Sequence, residues 1–515
     1  MEAFLPPVVA SGALRAPDVG ALLSATLPEI LLTAGLLVIL LLESFLGPRK
    51  TLYARISFAT VLAVLALTGA GFAGKEAETV AAGPLVVDNM ARLFRFFFLA
   101  CGALTLLFGM RRARPWFSQG EFHVLLLGSL AGMSVLSAAT DVLTAYLAFE
   151  TVSYTGYLLV GYDKTDRRSG EAGVKYVVFG AAASGAMLFG LSLLFGLSGT
   201  TSMEGIAEAL RVAGPSPAAV MGAVLVFAGV AFKVSAVPFH FWAPDAYAGT
   251  STAVAGFLAT ASKAAGFAVA IRFLGSWTGG ADPVAEGVSA AFLPSGPLPF
   301  WILGAAAVAT MIVGNTAALR QMELKRLLAW SSVAHAGYLL MALSTGTGEA
   351  YGGILVYFWV YMLMTLGGFG IVGLLIPHLG GTEIARYAGL AKRNPWLAAC
   401  LTVLMVSLTG LPPTAGFWAK VLLFMPVVEG KFYGLAIVGL LTSAVSLFYY
   451  ASLIRAMYLM PPAEGADGPV NLELPDWCLV GVTSGLLLLG GLGFMGWIAD
   501  GFLKAASDWV PVALR

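Results

Sequence analysis

Charge is the scarcest commodity in this sequence. Only 11% of its 515 residues are Asp, Glu, Lys or Arg, against about 25% in a typical soluble domain. So few charges cannot wet the surface of a folded chain this long, which excludes a large soluble protein. Cysteine is also rare. Cys101, Cys400 and Cys478 lie far apart, each in or beside an apolar run, and no C-x-x-C spacing occurs. That excludes a disulfide framework and speaks against a zinc or iron–sulfur site. No glycine-rich phosphate loop stands where a soluble nucleotide-binding domain could sit. The net charge is +1, so no basic surface calls for nucleic acid. The chain is expected to bind no metal or redox cofactor of its own.

What is abundant is hydrophobic residues, 59% of the total, gathered into long runs. A bilayer core takes about 20 apolar residues per helix. On that measure the sequence divides into 14 candidate spans between residues 24 and 500. Span 5 covers 141–161, span 6 covers 171–197, span 7 covers 218–243, span 8 covers 251–275, span 10 covers 325–345 and span 12 covers 396–427. Only Ala138-Ala139-Thr140-Asp141 separates spans 4 and 5, with Asp141 as the expected N-cap. The first run is too long for the apolar core of a signal peptide and reads as a retained helix. The fold class expected is therefore an all-α integral membrane protein in contact with the lipid bilayer.

Cations set the direction. Arg49, Lys50 and Arg55 follow span 1; Arg111, Arg112 and Arg114 follow span 3; Lys164, Arg167 and Arg168 follow span 5. Arg320, Lys325 and Arg326 follow span 9, and Arg386, Lys392 and Arg393 follow span 11. Loops after even spans are nearly bare, Lys75, Arg211 and Lys431 being the main exceptions. Positive residues stay on the cytoplasmic side, so both termini are expected outside.

A few charges remain at bilayer depth, where each costs about 2.5–3.5 kcal/mol on insertion scales. Glu150 lies in span 5, Lys233 in span 7, Lys263 in span 8 and Lys420 in span 12. Such groups persist when they face protein or water, and usually for function. Lysine suits a proton relay because burial can pull its pKa toward neutrality, whereas arginine stays charged. A carboxylate such as Glu150 beside it makes a pair that takes up and releases a proton. Lys175, nearer the start of span 6, can also snorkel. His335 and His240 are near-neutral relay candidates; His123 and His378 lie near span ends and read as interfacial. Glu29, Glu43 and Asp88 also lie near ends and read as structural.

Span 7 carries Pro238 five residues after Lys233, and span 12 carries Pro412 and Pro413 ahead of Lys420. Proline removes a donor and obstructs the carbonyl one turn back. In lipid such breaks must be buried or line water. The two broken spans are five apart, an odd number, so a tandem five-helix unit must insert upside down: spans 4–8 and 9–13 are expected to form two inverted repeats. Phe241-Trp242-Ala243 after the first break echoes Phe417-Trp418-Ala419 after the second. The resulting division is an N-terminal three-helix segment (1–120), a first repeat (121–275), a second repeat (300–460) and a C-terminal helix (475–515). Lys420, past its break, is expected toward the outer half, giving two offset half-channels joined through Lys263. The stretch Thr201–Val212 reads as an amphipathic helix outside the membrane.

Several stretches resemble a known family. FKVSAVPFHFWAPDAYAG with STAVAGFLATASKAAGF, LKRLLAWSSVAHAGYLLMAL, LTGLPPTAGFWAKVLLF, EAGVKYVVFGAAASGAMLFG and LAFETVSYTGYLLVGY are similar to subunit N of the antiporter-like membrane-arm subunits of respiratory complex I. The likeness runs over roughly residues 85–460. It implies a proton-translocating subunit of an NADH–quinone oxidoreductase in a bacterial inner membrane. Glu150 and Lys233 would be its switching pair, Lys263 the connecting lysine, Lys420 the outlet, and Lys175 and His335 supporting residues. FMN, iron–sulfur clusters and quinone would belong to partner subunits. The neighbours in the membrane arm would be another antiporter-like subunit and small membrane subunits. Lys420, where sister subunit M carries glutamate, and the lack of a long lateral helix favour subunit N. A cation/proton antiporter subunit of the Mrp type is the alternative.

Overall fold

The structure is a computed structural model; it describes residues 19–48, 51–70, 80–111, 119–214, 216–278, 298–462, 470 and 472–494. Arg15, Arg49, Lys50, Lys75, Arg112, Arg114 and the end of the last expected span lie outside the described residues.

The chain folds into helices α1 (Val19–Leu46), α2 (Leu52–Ala70), α3 (Asn89–Arg111), α4 (Gly120–Ala138), α5 (Val142–Val160) and α6 (Arg167–Ser198). The amphipathic α7 (Met203–Ala213) follows, burying Met203, Ile206 and Leu210. Next come α8 (Pro217–Val234), α9 (Trp242–Gly249), α10 (Thr252–Phe257) and α11 (Lys263–Thr278), the last two joined by a π-helical turn, Leu258–Ser262. The rest is α12 (Leu298–Ala318), α13 (Leu324–Leu343), α14 (Gly348–Leu379), the single turn α15 (Leu390–Arg393), α16 (Pro395–Thr409), α17 (Ala415–Glu429), α18 (Tyr433–Leu459) and α19 (Leu474–Leu489).

Among the described residues, ten helices are long and apolar enough to cross a membrane, and Ile302–Ala318 and Pro395–Thr409 are shorter apolar ones. α5 and α13, at 19 and 20 residues, are as long but carry Glu150 and the Lys325-Arg326 pair. The expectation of purely helical structure needs one correction. A short antiparallel hairpin, β1 (Val80–Ala82) with β2 (Leu85–Val87), precedes α3. Asp141 caps α5, its Oδ1 accepting from the Leu143 and Thr144 amides at 3.0 Å, so α4 and α5 are separate helices.

Both spans expected to break, spans 7 and 12, are broken, whereas Pro28 and Pro377 lie inside the continuous helices α1 and α14. α8 ends at Val234 and α16 at Thr409, each four residues before a proline (Pro238 and Pro413), at the carbonyl the pyrrolidine ring obstructs. Span 7 therefore stops earlier than the sequence suggested, and Lys233 lies in the last turn of α8, beside the negative end of that helix. An orphaned backbone group would cost several kcal/mol in hydrocarbon. Here each break is satisfied by protein. The Trp242 indole N–H donates to the Phe232 carbonyl at 2.9 Å, and the Val237 amide donates to Thr310 Oγ1 on α12 at 2.9 Å. At the second break the Gly416 amide donates to Ser407 Oγ at 3.1 Å.

Two buried ion pairs knit α11 to the start of α3 and α3 to α1. Arg272 of α11 makes a bidentate pair with Asp88 at 2.6 and 2.7 Å and donates to the Ser137 carbonyl. Arg95 of α3 pairs with Glu29 of α1 at 2.7 Å, and Ser134 of α4 donates to the same carboxylate. Asp88 also accepts from the Ala91 amide and so caps α3. Glu43 accepts from the Gly120 amide at the start of α4. His123, expected at an interface, is fully buried.

Candidate functional site

Lys233, Lys263 and Lys420 are 0%, 1% and 8% exposed, so each ammonium faces protein rather than the surroundings. Lys233 Nζ donates to Ser153 Oγ at 3.0 Å and lies 5.2 Å from the centre of the Phe149 ring. Ser153 is one turn after Glu150 on α5. No ion pair joins Glu150 to Lys233 themselves. The two charges act on each other electrostatically, but the expected switching pair stands apart.

The next lysine is close by. A Cβ at Gly266, one turn after Lys263 on α11, would stand 3.2 Å from Lys233 Cβ and Cγ, so α8 and α11 pack where the two lysines lie. Lys263 opens α11 directly after the π-helical turn, a device frequent at functional sites. Its Nζ donates to the Ser332 carbonyl of α13 at 2.7 Å, a contact from the first expected repeat to the second.

On α13, His335 is surrounded by tyrosines. Its Nδ1 is hydrogen-bonded to the Tyr357 hydroxyl of α14, and its Nε2 lies 3.5 Å from the Tyr450 hydroxyl of α18. Lys263 and Lys420 both act electrostatically on this ring. Tyr338, one turn further on α13, receives the Asn315 amide on its hydroxyl at 3.0 Å. The Lys420 ammonium sits 5.1 Å from the Tyr338 ring centre.

Lys420 uses the second break. It donates to the Thr409 carbonyl, the last of α16, at 2.7 Å and to Ser443 Oγ of α18 at 2.8 Å. The break is shaped to fit it. Gly410 has φ +83°, and a Cβ there would lie 2.6 Å from Lys420 Cδ and 3.2 Å from Nζ. Gly410→Ala is expected to cost about 1–2 kcal/mol of backbone strain and to push the ammonium off the Thr409 carbonyl. Thermal unfolding of the purified assembly, with its proton yield, checks this: both fall if the close approach matters.

The remaining predicted residues sit apart from this track. Lys175 is 42% exposed at its side chain and pairs with Glu171 and Asp245 at 2.8 Å. His240, buried in the first break, packs on Trp330 with ring centres 5.5 Å apart. Trp242 is buried and stacked on Tyr176, whereas Trp418 is half exposed and bonds the Gly491 carbonyl; the two echoed motifs hold different positions.

Sequence reasoning passed over several groups. Asp245 of α9 bridges Lys175 of α6 and Arg326 of α13; its place beside the broken span was the available signal. Lys325 donates to the Ala248 and Thr250 carbonyls at 2.6 Å and so terminates α9. Tyr357, Tyr361, Tyr449 and Tyr450 gave no signal, since a tyrosine in an apolar run reads as packing.

A profile of the family "NADH:quinone oxidoreductase/Mrp antiporter, TM" matches residues 139–446, which contain Glu150, Lys233, Lys263 and Lys420. NADH-quinone oxidoreductase subunit N of Anaeromyxobacter sp. (strain Fw109-5) is 39% identical over 90% of this chain and 93% of its own length. A chain of respiratory complex I from Thermus thermophilus with bound aureothin superposes with a TM-score of 0.76 at 30% identity, over 92% of this chain and 98% of that one. A chain of the Mrp complex from Dietzia sp. DQ12-45-1b shares the fold, at TM-score 0.81 and 19% identity over 95% and 98% of the two chains. The sequence therefore belongs to the NADH:quinone oxidoreductase/Mrp antiporter transmembrane family, on the branch formed by subunit N of NADH-quinone oxidoreductase.

Proposed function

We propose that this chain is a proton-translocating membrane subunit of an NADH–quinone oxidoreductase, moving protons along buried Glu and Lys residues while partner subunits reduce quinone. The observation that carries this reading is the set of buried ammonium groups, each held by a neutral acceptor. Lys233 has a serine hydroxyl, Lys263 a carbonyl, and Lys420 a carbonyl and a hydroxyl. A lysine held this way keeps its hydrogen bonds when it loses a proton or moves to a new neighbour. A locked ion pair would hold the charge in place.

The finer architecture belongs to the same reading. Counting each broken span as one crossing and adding α5 and α13 gives 14 crossings, both termini outside in a bacterial inner membrane. Residues 121–275 and 300–460 are the two inverted repeats, with breaks at corresponding places. The path runs from Glu150 and Lys233 through Lys263 and His335 to Lys420, with release on the outer side. Lys175 and His240 lie on the inner side of the first break as supporting groups. FMN, iron–sulfur clusters and quinone lie in partner chains, and the neighbours are another antiporter-like subunit and small membrane subunits. The Mrp-type reading has the common family profile and a shared fold at 19% identity, and is the weaker of the two.

Affinity purification through a tag on this chain separates the two. Copurification of NADH-oxidising, quinone-reducing activity is the expected result. Recovery with cation/proton antiporter subunits and without such activity would overturn the reading.

A further inference from the structure

Histidine 335 is held at both ring nitrogens by hydroxyl groups from two other helices. Tyr357 of α14 bonds Nδ1, and Tyr450 of α18 faces Nε2 at 3.5 Å. Tyr450 in turn shares a hydrogen bond with the Ser331 hydroxyl of α13. All four residues are buried. Ser331 adjoins Ser332, whose carbonyl receives the Lys263 ammonium. The string Ser331–Tyr450–His335–Tyr357 thus crosses three helices and starts one residue along α13 from the carbonyl that holds Lys263.

Every member of that string both donates and accepts. A hydroxyl has one hydrogen and two lone pairs, and a neutral imidazole has one N–H and one bare nitrogen. Two ammonium groups, Lys263 and Lys420, act on this ring, and an imidazolium would be repelled by both. A neutral ring has no such difficulty. We propose that Tyr357 and Tyr450, with His335, form a neutral relay in which the ring changes tautomer as a proton passes. This rests on the proton-path reading above and deepens it by naming its middle section.

The step balances without forming an ion in the string. A proton released from the Lys263 side arrives at Ser331 Oγ, whose own proton moves to the Tyr450 oxygen. The Tyr450 O–H bond breaks as an N–H bond forms at Nε2. The N–H bond at Nδ1 breaks as its proton passes to the Tyr357 oxygen, and the Tyr357 hydroxyl proton leaves toward the Lys420 side. Lys263 loses one proton and an acceptor on the Lys420 side gains one. The ring ends in the other tautomer, and rotation of the hydroxyls with the reverse exchange restores it.

The test uses the whole complex reconstituted in proteoliposomes, with protons moved per quinone reduced as the readout and uncoupled quinone reduction measured beside it. Lys263→Met sets the scale for loss of this subunit's contribution. His335→Gln, Tyr357→Phe and Tyr450→Phe are each expected to lower the yield as far as Lys263→Met, with uncoupled reduction unchanged. The Tyr357→Phe/Tyr450→Phe double variant should lose no more than either single one, because the groups act in series. Glutamine keeps a donor and an acceptor but cannot change tautomer, so a full yield with His335→Gln would overturn the relay and leave the ring a packing role. Additive losses in the double variant would overturn it as well. A full yield with Lys263→Met would instead remove the proton-path reading on which the relay stands.

Discussion

A complex carrying Lys263→Arg is expected to reduce quinone when uncoupled but to move fewer protons per quinone than the wild type. Arginine keeps the positive charge and can still donate to the Ser332 carbonyl that Lys263 holds at 2.7 Å. It cannot release a proton, since a guanidinium stays charged in proteins. If Lys263 merely clamps α11 to α13, arginine is a tolerable replacement and the yield stays whole. If Lys263 titrates, charge retention does not help. Simultaneous measurement of quinone reduction and of vesicle acidification separates the two. The guanidinium is bulkier, so the amount of assembled complex is measured first and both rates are given per complex.

The second large effect is on stability. Arg272→Met leaves the Asp88 carboxylate buried without its bidentate partner. Removing one partner of a buried pair costs about 3–5 kcal/mol, enough to deplete the assembled subunit. The double variant Arg272→Met/Asp88→Asn should recover much of that loss. The amide is uncharged, and its oxygen still accepts from the Ala91 amide that caps α3. The expected result is low membrane content for the single variant and a clear rise for the double. Equal content for all three would show that the pair contributes little.

Much of this molecule could be read before any coordinates. The cost of charge at bilayer depth singled out Glu150, Lys233, Lys263 and Lys420, and the proline rule located both breaks. What the sequence could not show was pairing. Arg272 and Asp88 are 184 residues apart, and nothing local tells an arginine near a helix end which carboxylate will meet it. For the same reason Asp88 and Glu29 could be read as structural acids near span ends, but not as halves of buried ion pairs with Arg272 and Arg95. The first break was placed at Pro238, but the helix ends where the ring obstructs a carbonyl, at Val234, which puts Lys233 at a helix terminus. The tyrosines around His335 were invisible because a phenol contributes apolar area and a hydroxyl alike. Only the meeting of α13, α14 and α18 shows that the hydroxyls point at the imidazole.

The central claim is that these buried ammonium groups give up and regain protons as the complex turns over. The most direct measurement is the number of protons moved per quinone reduced by reconstituted complex carrying Lys233→Met, in which a neutral chain of similar length replaces the ammonium over Phe149. The account predicts a lower yield, with quinone reduction still running when the membrane is uncoupled. An unchanged yield would contradict it and leave the lysines a purely architectural part.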